Sequence, residues 1–270
     1  MDYVLHYADE YVLDRVYASV VPARAFLPST SLLANATASS SSSLFDSIVK
    51  HLPHPTLDLN SLASVTASSA WPREYAVRQL LSLYMLTLIG IVLMYFTVAT
   101  ASYYLIFNHD MMRHPRFLKG QVAMEIRSSC IAFPTITALT VPWFFAEVRG
   151  RGRYYEDIAE YGWAYALFTI PAFLLFTDTL IYWIHRIEHH PALYKHVHKP
   201  HHKWIIPTPF ASHAFHPLDG YAQSIPYHMF GALFPFHKKM YLALFSAVNF
   251  WSIFVRAPRP RDRVSPTFRD

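Results

Sequence analysis

The chain has 270 residues, 53% of them apolar and only 15% charged, with a formal net charge of +5. An average soluble domain carries roughly 25% charged residues, so the balance points away from an ordinary soluble globule and toward a lipid environment. Basic residues scattered around apolar stretches point to membrane orientation and not to nucleic acid, and the single cysteine, Cys130, excludes an intrachain disulfide framework.

The opening MDYVLHYADEYVLDRVYA lacks a basic region followed by an apolar run, so no cleavable signal is expected. Its periodic Tyr, Val and Leu predict a short amphipathic helix. Residues 29–43 form a Ser/Ala-rich linker for which disorder is expected. That linker contains Asn35-Ala36-Thr37, a glycosylation sequon that counts only if this end faces a lumen. Residues 1–71 are therefore expected to form an N-terminal segment separate from the rest of the chain. From Leu80 to Phe107 there is no charge at all, enough to cross a hydrocarbon core that needs roughly 20 helical residues. A second apolar block, 128–146, is weakened by Pro134 and Pro142, and a third, 163–184, carries one charge, Asp178. The fourth, 225–255, is interrupted by His237, Lys238 and Lys239, which fits either a re-entrant hairpin or one span with an interfacial lead-in.

Residues 72–255 thus read as an all-α integral membrane helical bundle with three to four passages. Orientation follows from Lys and Arg in the short flanks. Arg73 and Arg78 precede the first span; Arg113, Arg116, Lys119 and Arg127 come after it. Arg149, Arg151 and Arg153 lie in the next connector, and Arg186, Lys195, Lys199 and Lys203 lie beyond the third span. The alternation places the last segment on the cytoplasmic side as a histidine-rich cap.

Eleven of the sixteen histidines fall between His185 and His237. They read HRIEHH at 185–190, HKPHH at 198–202 (with Lys199 and Pro200 inside it) and SHAFHP at 212–217. Neutral imidazole is a good ligand for iron, zinc, copper and nickel. His185 and His189 are four apart and share one face of a continuing helix, which Pro191 should stop. Asp178 lies on the same stripe, roughly 10 Å before His185 at 1.5 Å per residue. An ionisable group inside a span is a functional-site expectation, and Asp178 is expected either to orient an imidazole from behind or to bond a neighbouring helix. In the second group Pro200 interrupts, so a shared helical face is not assumed for His198, His201 and His202. His213 and His216 come next, in a loop. There is no nucleophile elbow, phosphate loop or dinucleotide fingerprint, so electrons for redox chemistry would come from another protein.

These boxes, with the continuation HKWIIPTPFASHAFHPLDGYAQSIPYH and the upstream FNHDMMRHPRFLKGQVAMEI and LTVPWFFAEV, closely resemble the fungal sterol C-5 desaturases (lathosterol oxidase type) of the fatty acid hydroxylase/sterol desaturase superfamily. The resemblance runs from residue 1 to about Phe254, apart from the Ser-rich linker. It implies an endoplasmic reticulum membrane enzyme with a histidine-bound di-iron centre that uses dioxygen and electrons from cytochrome b5 and its reductase. The implied reaction introduces the C5–C6 double bond into a Δ7-sterol, in ergosterol-type sterol biosynthesis. His185, His189, His198, His201 and His202 correspond by resemblance to metal ligands, and His216 to a further one.

The family pattern continues with a His-Asp-Gly segment and a third box. Here residues 256–270 instead form a basic Pro/Arg-rich tail without histidine, expected to be disordered. The competing expectations are a truncated, inactive membrane protein with a partial metal site, and an unrelated metal-handling protein with a histidine-rich loop. Ordered boxes and a lone intramembrane carboxylate weigh against the last.

Overall fold

The computed structural model describes residues 1–22 and 69–255. The Ser-rich linker with its sequon and the basic tail lie outside the described residues. The chain divides into two compact units, Met1–Leu83 and Tyr84–Asp270.

In the first unit the expected amphipathic helix is present as one rod: α1 (Asp2–Ala8), a π-helical turn (Asp9–Leu13) and α2 (Asp14–Val20). Tyr7, Tyr11, Val16 and Val20 are exposed along it. The π turn has a consequence for charge. In an α-helix residues five apart point about 140° away from each other. Here the amide of Asp14 donates to the carbonyl of Asp9, an i→i+5 bond that stacks the two acids. Both then reach Arg78, which is 3% exposed. Its Nη2 donates to Asp9 Oδ1 at 2.6 Å and also to Asp14, while Nη1 donates to the Trp71 carbonyl at 2.8 Å. Arg73 closes on Asp14 from outside at 2.5 Å, and Val21, Ala70 and Trp71 pack as a small core beside them.

The second unit is built on α3 (Ala76–Leu105), which begins in the first unit, α4 (Gln121–Val148) and α5 (Gly162–Glu188). All three are long and apolar enough to cross a membrane. Several threonine hydroxyls inside them bond within their own helix, such as Thr97 on Leu93 O and Thr177 on Phe173 O. α4 starts seven residues before its apolar block and runs unbroken through Pro134 and Pro142. α5 runs on into the first histidine box and ends at Glu188, with Pro191 opening a separate short turn, Pro191–Leu193.

The fourth apolar block is a hairpin of two helices, α6 (Pro217–Leu233) and α7 (Lys238–Val255). α6 packs against α4 and α5, and α7 returns to the turn at Pro209–His213. Between α6 and α7, β2 (Phe236–His237) pairs in parallel with β1 (Tyr154–Tyr155) from the α4–α5 connector. This clip sits at the end of the bundle away from the histidine boxes. Around it Phe173, Phe230, Phe236 and Tyr241 form an aromatic core. Gly231 belongs to the clip because a Cβ there would collide with the Tyr154 ring.

Candidate metal centre

The segment between α5 and α6 is bent by its prolines and anchored by α4. Glu125, wholly buried in the first turns of α4, accepts from Gln121 Nε2 at 2.7 Å and from Thr208 N at 3.3 Å, and it also takes the Thr208 hydroxyl. Gln121 Nε2 donates in addition to the Ile206 carbonyl at 2.7 Å. Thr208 in turn caps the 3-10 turn Pro209–His213. A buried carboxylate saturated with donors is a structural clamp, and it fixes where the second histidine box can lie.

Four histidines from the two boxes converge. One ring nitrogen from each of His185, His189, His198 and His202 lies within 4.8 Å of all the others. His185 sits in the last turn of α5 and His189 is its C-cap; their Nε2 atoms are 3.2 Å apart. A second π-helical turn, Tyr194–His198, leads into Pro200, so that His198 and His202 face each other with Nε2 atoms 2.9 Å apart. Metal–imidazole bonds run about 2.0–2.1 Å, so four nitrogens around one ion stand about 3–4 Å apart. The four-histidine set fits one metal ion.

Behind His198 lies a carboxylate shell. His198 Nδ1 is 2.9 Å from Asp219 Oδ2 and 3.7 Å from Glu188 Oε2. Gln223 Nε2 donates to Asp219 Oδ1 at 2.5 Å and to Glu188 Oε2 at 3.0 Å. His198 and Asp219 are 0% exposed and Glu188 is 5%. A carboxylate on Nδ1 fixes the proton there and leaves Nε2 with its lone pair toward the other histidines. Burial, with His189 nearby, holds the His198 imidazole below its ordinary pKa. Burial likewise pushes the Asp219 carboxyl up to about 6, against the opposing pull of Gln223 and the neighbouring histidines.

Other expected site residues stand apart. His201 is outside the set of four; its ring lies parallel to His198 at 5.4 Å and on Phe215 at 5.9 Å. Pro200 redirects the chain so that only His202 turns inward. His216 does not join the set either. It is the N-cap of α6, its Nδ1 accepting from Leu218 N at 3.3 Å. His190 and His114 do the same before their prolines, on Ala192 N at 3.4 Å and Arg116 N at 3.1 Å, so each His-Pro pair among the described residues is a turn device. Asp178 is exposed on α5, and the carboxylates that approach the imidazoles are Glu188 and Asp219 instead. His213 is buried among Tyr95 and Phe133, its Nδ1 3.0 Å from Ser212 Oγ, and burial pushes its pKa down to about 4. It is a core residue.

Sequence reasoning missed Glu188, Asp219, Gln223 and Glu125. Two signals were present: Glu188 lies inside the first box, and Asp219 opens a helix directly after a His-Pro pair.

Three helices long and apolar enough to cross a membrane thus carry, beyond the end of one of them, a histidine cluster that could hold a metal ion. The sequence matches the Fatty acid hydroxylase family over residues 170–268. It is 45% identical over 268 residues to a Delta(7)-sterol 5(6)-desaturase of Leptosphaeria maculans, covering 94% of this chain and 74% of that protein. It is 44% identical to the corresponding desaturase of Aspergillus fumigatus, over 94% of this chain and 73% of the relative. A lathosterol oxidase of Rattus norvegicus is 50% identical over 187 residues, 68% of this chain and 62% of its own length. No solved structure matches. The chain belongs to the Delta(7)-sterol 5(6)-desaturase family, a family of oxidoreductases.

Proposed function

We propose that this chain is an iron-dependent membrane sterol desaturase that converts a Δ7-sterol to its 5,7-diene. The observation that carries the reading is the convergence of His185, His189, His198 and His202 from two separate boxes onto one point, backed by the buried Asp219. In the balanced reaction two C–H bonds of the sterol break and one C=C bond forms; dioxygen takes these two hydrogens together with two electrons and two protons and leaves as two waters. Bound iron, in the family a pair of ions, supplies the activation of dioxygen that such a C–H cleavage requires.

The rest is the work of this chain's own residues. The four imidazoles offer neutral nitrogen donors. His201 stands one ring away, stacked on His198. Trp183, Arg186, Ile187, His189 and His190 line an open depression beside the centre. The electron pair comes from outside, from cytochrome b5 and its reductase, since no dinucleotide-binding glycine motif occurs. The distribution of Lys and Arg supports histidine boxes facing the cytoplasm, and the resemblance to the fungal desaturases supports residence in the endoplasmic reticulum.

The test is expression of this 270-residue chain in a fungal strain lacking its own sterol C-5 desaturase, followed by ultraviolet spectra of extracted sterols. Return of the conjugated 5,7-diene bands is expected. Accumulation of Δ7-sterol alone, with the protein present in membranes, would overturn the assignment.

A further inference from the structure

The histidines of a metal centre are only as well placed as the groups that hold their second nitrogens. On the reading of the four-histidine set as a metal centre, we propose that Asp219 is its positioning residue. Clamped by Gln223, it locks His198 so that Nε2 faces His185, His189 and His202, with Glu188 as the second carboxylate of the same shell.

Several features single out Asp219. His198 is 0% exposed, so its orientation is set by its one strong Nδ1 partner. Of the two carboxylates nearby, only Asp219 is within hydrogen-bonding distance, 2.9 Å against 3.7 Å for Glu188. Asp219 is itself immobilised. It lies in the first turn of α6, directly after the His216 cap and Pro217, and its other oxygen takes the amide of Gln223 one turn later at 2.5 Å. Gly220, next in the chain, lies under the Phe215 ring, which fills the space a Cβ would need. The same Gln223 amide reaches Glu188 on α5 at 3.0 Å, so one side chain ties the helix of the first box to α6, whose Asp219 holds His198 of the second.

A competing arrangement uses the same atoms. Glu188, His198 and Asp219 also lie within 4.8 Å of one another, and Glu188 Oε1 is buried without a partner, so the three are themselves a candidate cation site. Ligation there would require the lone pair of His198 on Nδ1. The 2.9 Å approach of Nε2 to His202 Nε2 and the Gln223 amide on both carboxylates favour the hydrogen-bonded shell.

The experiment is anaerobic titration of the purified full chain with Fe(II), following bound metal and the thermal midpoint with and without metal. Asp219→Asn should weaken Fe(II) about 10- to 100-fold, the usual cost of losing such a partner. The metal-free midpoint should stay close to that of the unmodified chain, with the Fe(II)-dependent rise lost, a split that a purely structural role would not produce. Unchanged Fe(II) affinity in Asp219→Asn overturns the inference. So does loss of one whole metal equivalent in Glu188→Gln with the remaining affinity untouched, which would make the carboxylates ligands. Should Asp219→Asn not assemble, Gln223→Ala decides: a severalfold weakening is expected, and no change overturns. Failure of the unmodified chain to take up Fe(II) is a separate result, since it removes the histidine centre and this inference with it.

Discussion

In the first unit Arg78 and Arg73 meet Asp9 and Asp14, two cations for two carboxylates. In the second unit Glu188 and Asp219 lie side by side with one amide and a buried imidazole between them, and among the described residues no lysine or arginine pairs with either. The second network is buried throughout and the first only at Arg78 and Asp9, with Arg73 and Asp14 half-exposed, and only the first pairs its acids with permanent cations. A balanced network explains itself as structure: it fastens the N-terminal rod to the start of α3. An acid-rich shell behind these imidazoles is offset either by a cation at the point they share or by protons on the carboxyls, which burial pushes up to about 7 at Glu188 and about 6 at Asp219. Buried polar groups cost several kcal/mol when left uncompensated, so the second network is the one that must take up a cation or protons.

That contrast can be broken in several ways. The largest effect should come from replacing His198 and His202 together with Ala: metal content of the purified chain should fall by about 100-fold or more, read by elemental analysis. Retention of metal would place the ion elsewhere. Next is Arg78→Ala, which leaves Asp9 buried without its partner at a cost of about 3–5 kcal/mol. Proteolysis should then open the first unit while metal content stays at the level of the unmodified chain. Arg73→Ala, by contrast, removes a half-exposed pair worth under about 1 kcal/mol and should leave the cleavage pattern unchanged.

The smallest effect concerns His213, a buried histidine that belongs to neither network. Its folded pKa, about 4, lies below the ordinary 6.5, so the folded chain keeps it neutral while the unfolded chain accepts a proton. The stability linked to it is present above pH 6.5 and is lost as pH falls toward 4. The full swing is at most on the order of 3 kcal/mol. Thermal midpoints of metal-free His213→Gln should fall less steeply over that window; an identical slope would remove His213 as the cause.

Much of this was legible in the sequence. Length and absence of charge set the three long helices, and the four-residue step from His185 to His189 set their shared face. The amphipathic opening and the stop at Pro191 come from the same periodicities. What escaped was everything that depends on residues far apart in sequence. Nothing local distinguishes His202, turned inward, from His201, stacked outside; the difference arises from how Pro200 and the Glu125–Thr208 clamp aim the loop. Asp178 stands out in the sequence because it shares a helix with the first box, whereas Asp219 reaches His198 only once α6 packs against α5. Local periodicity also could not show that His216 is a cap, although its His-Pro pair is repeated at 114 and 190. The fourth block became a hairpin because His237, Lys238 and Lys239 stand where the chain turns.

The two-residue clip far from the histidines bears on the chemistry through leverage. α5 and α6 leave that clip like the legs of a compass, one ending in His185, His189 and Glu188, the other beginning at Asp219 and Gln223. α6 spans about 25 Å at 1.5 Å per residue, so each degree of splay at the pivot moves the tips by about 0.4 Å. The Tyr154 ring pressed on Gly231 fixes the spacing at the pivot, and the Gln223–Glu188 bond fixes it again at the tips.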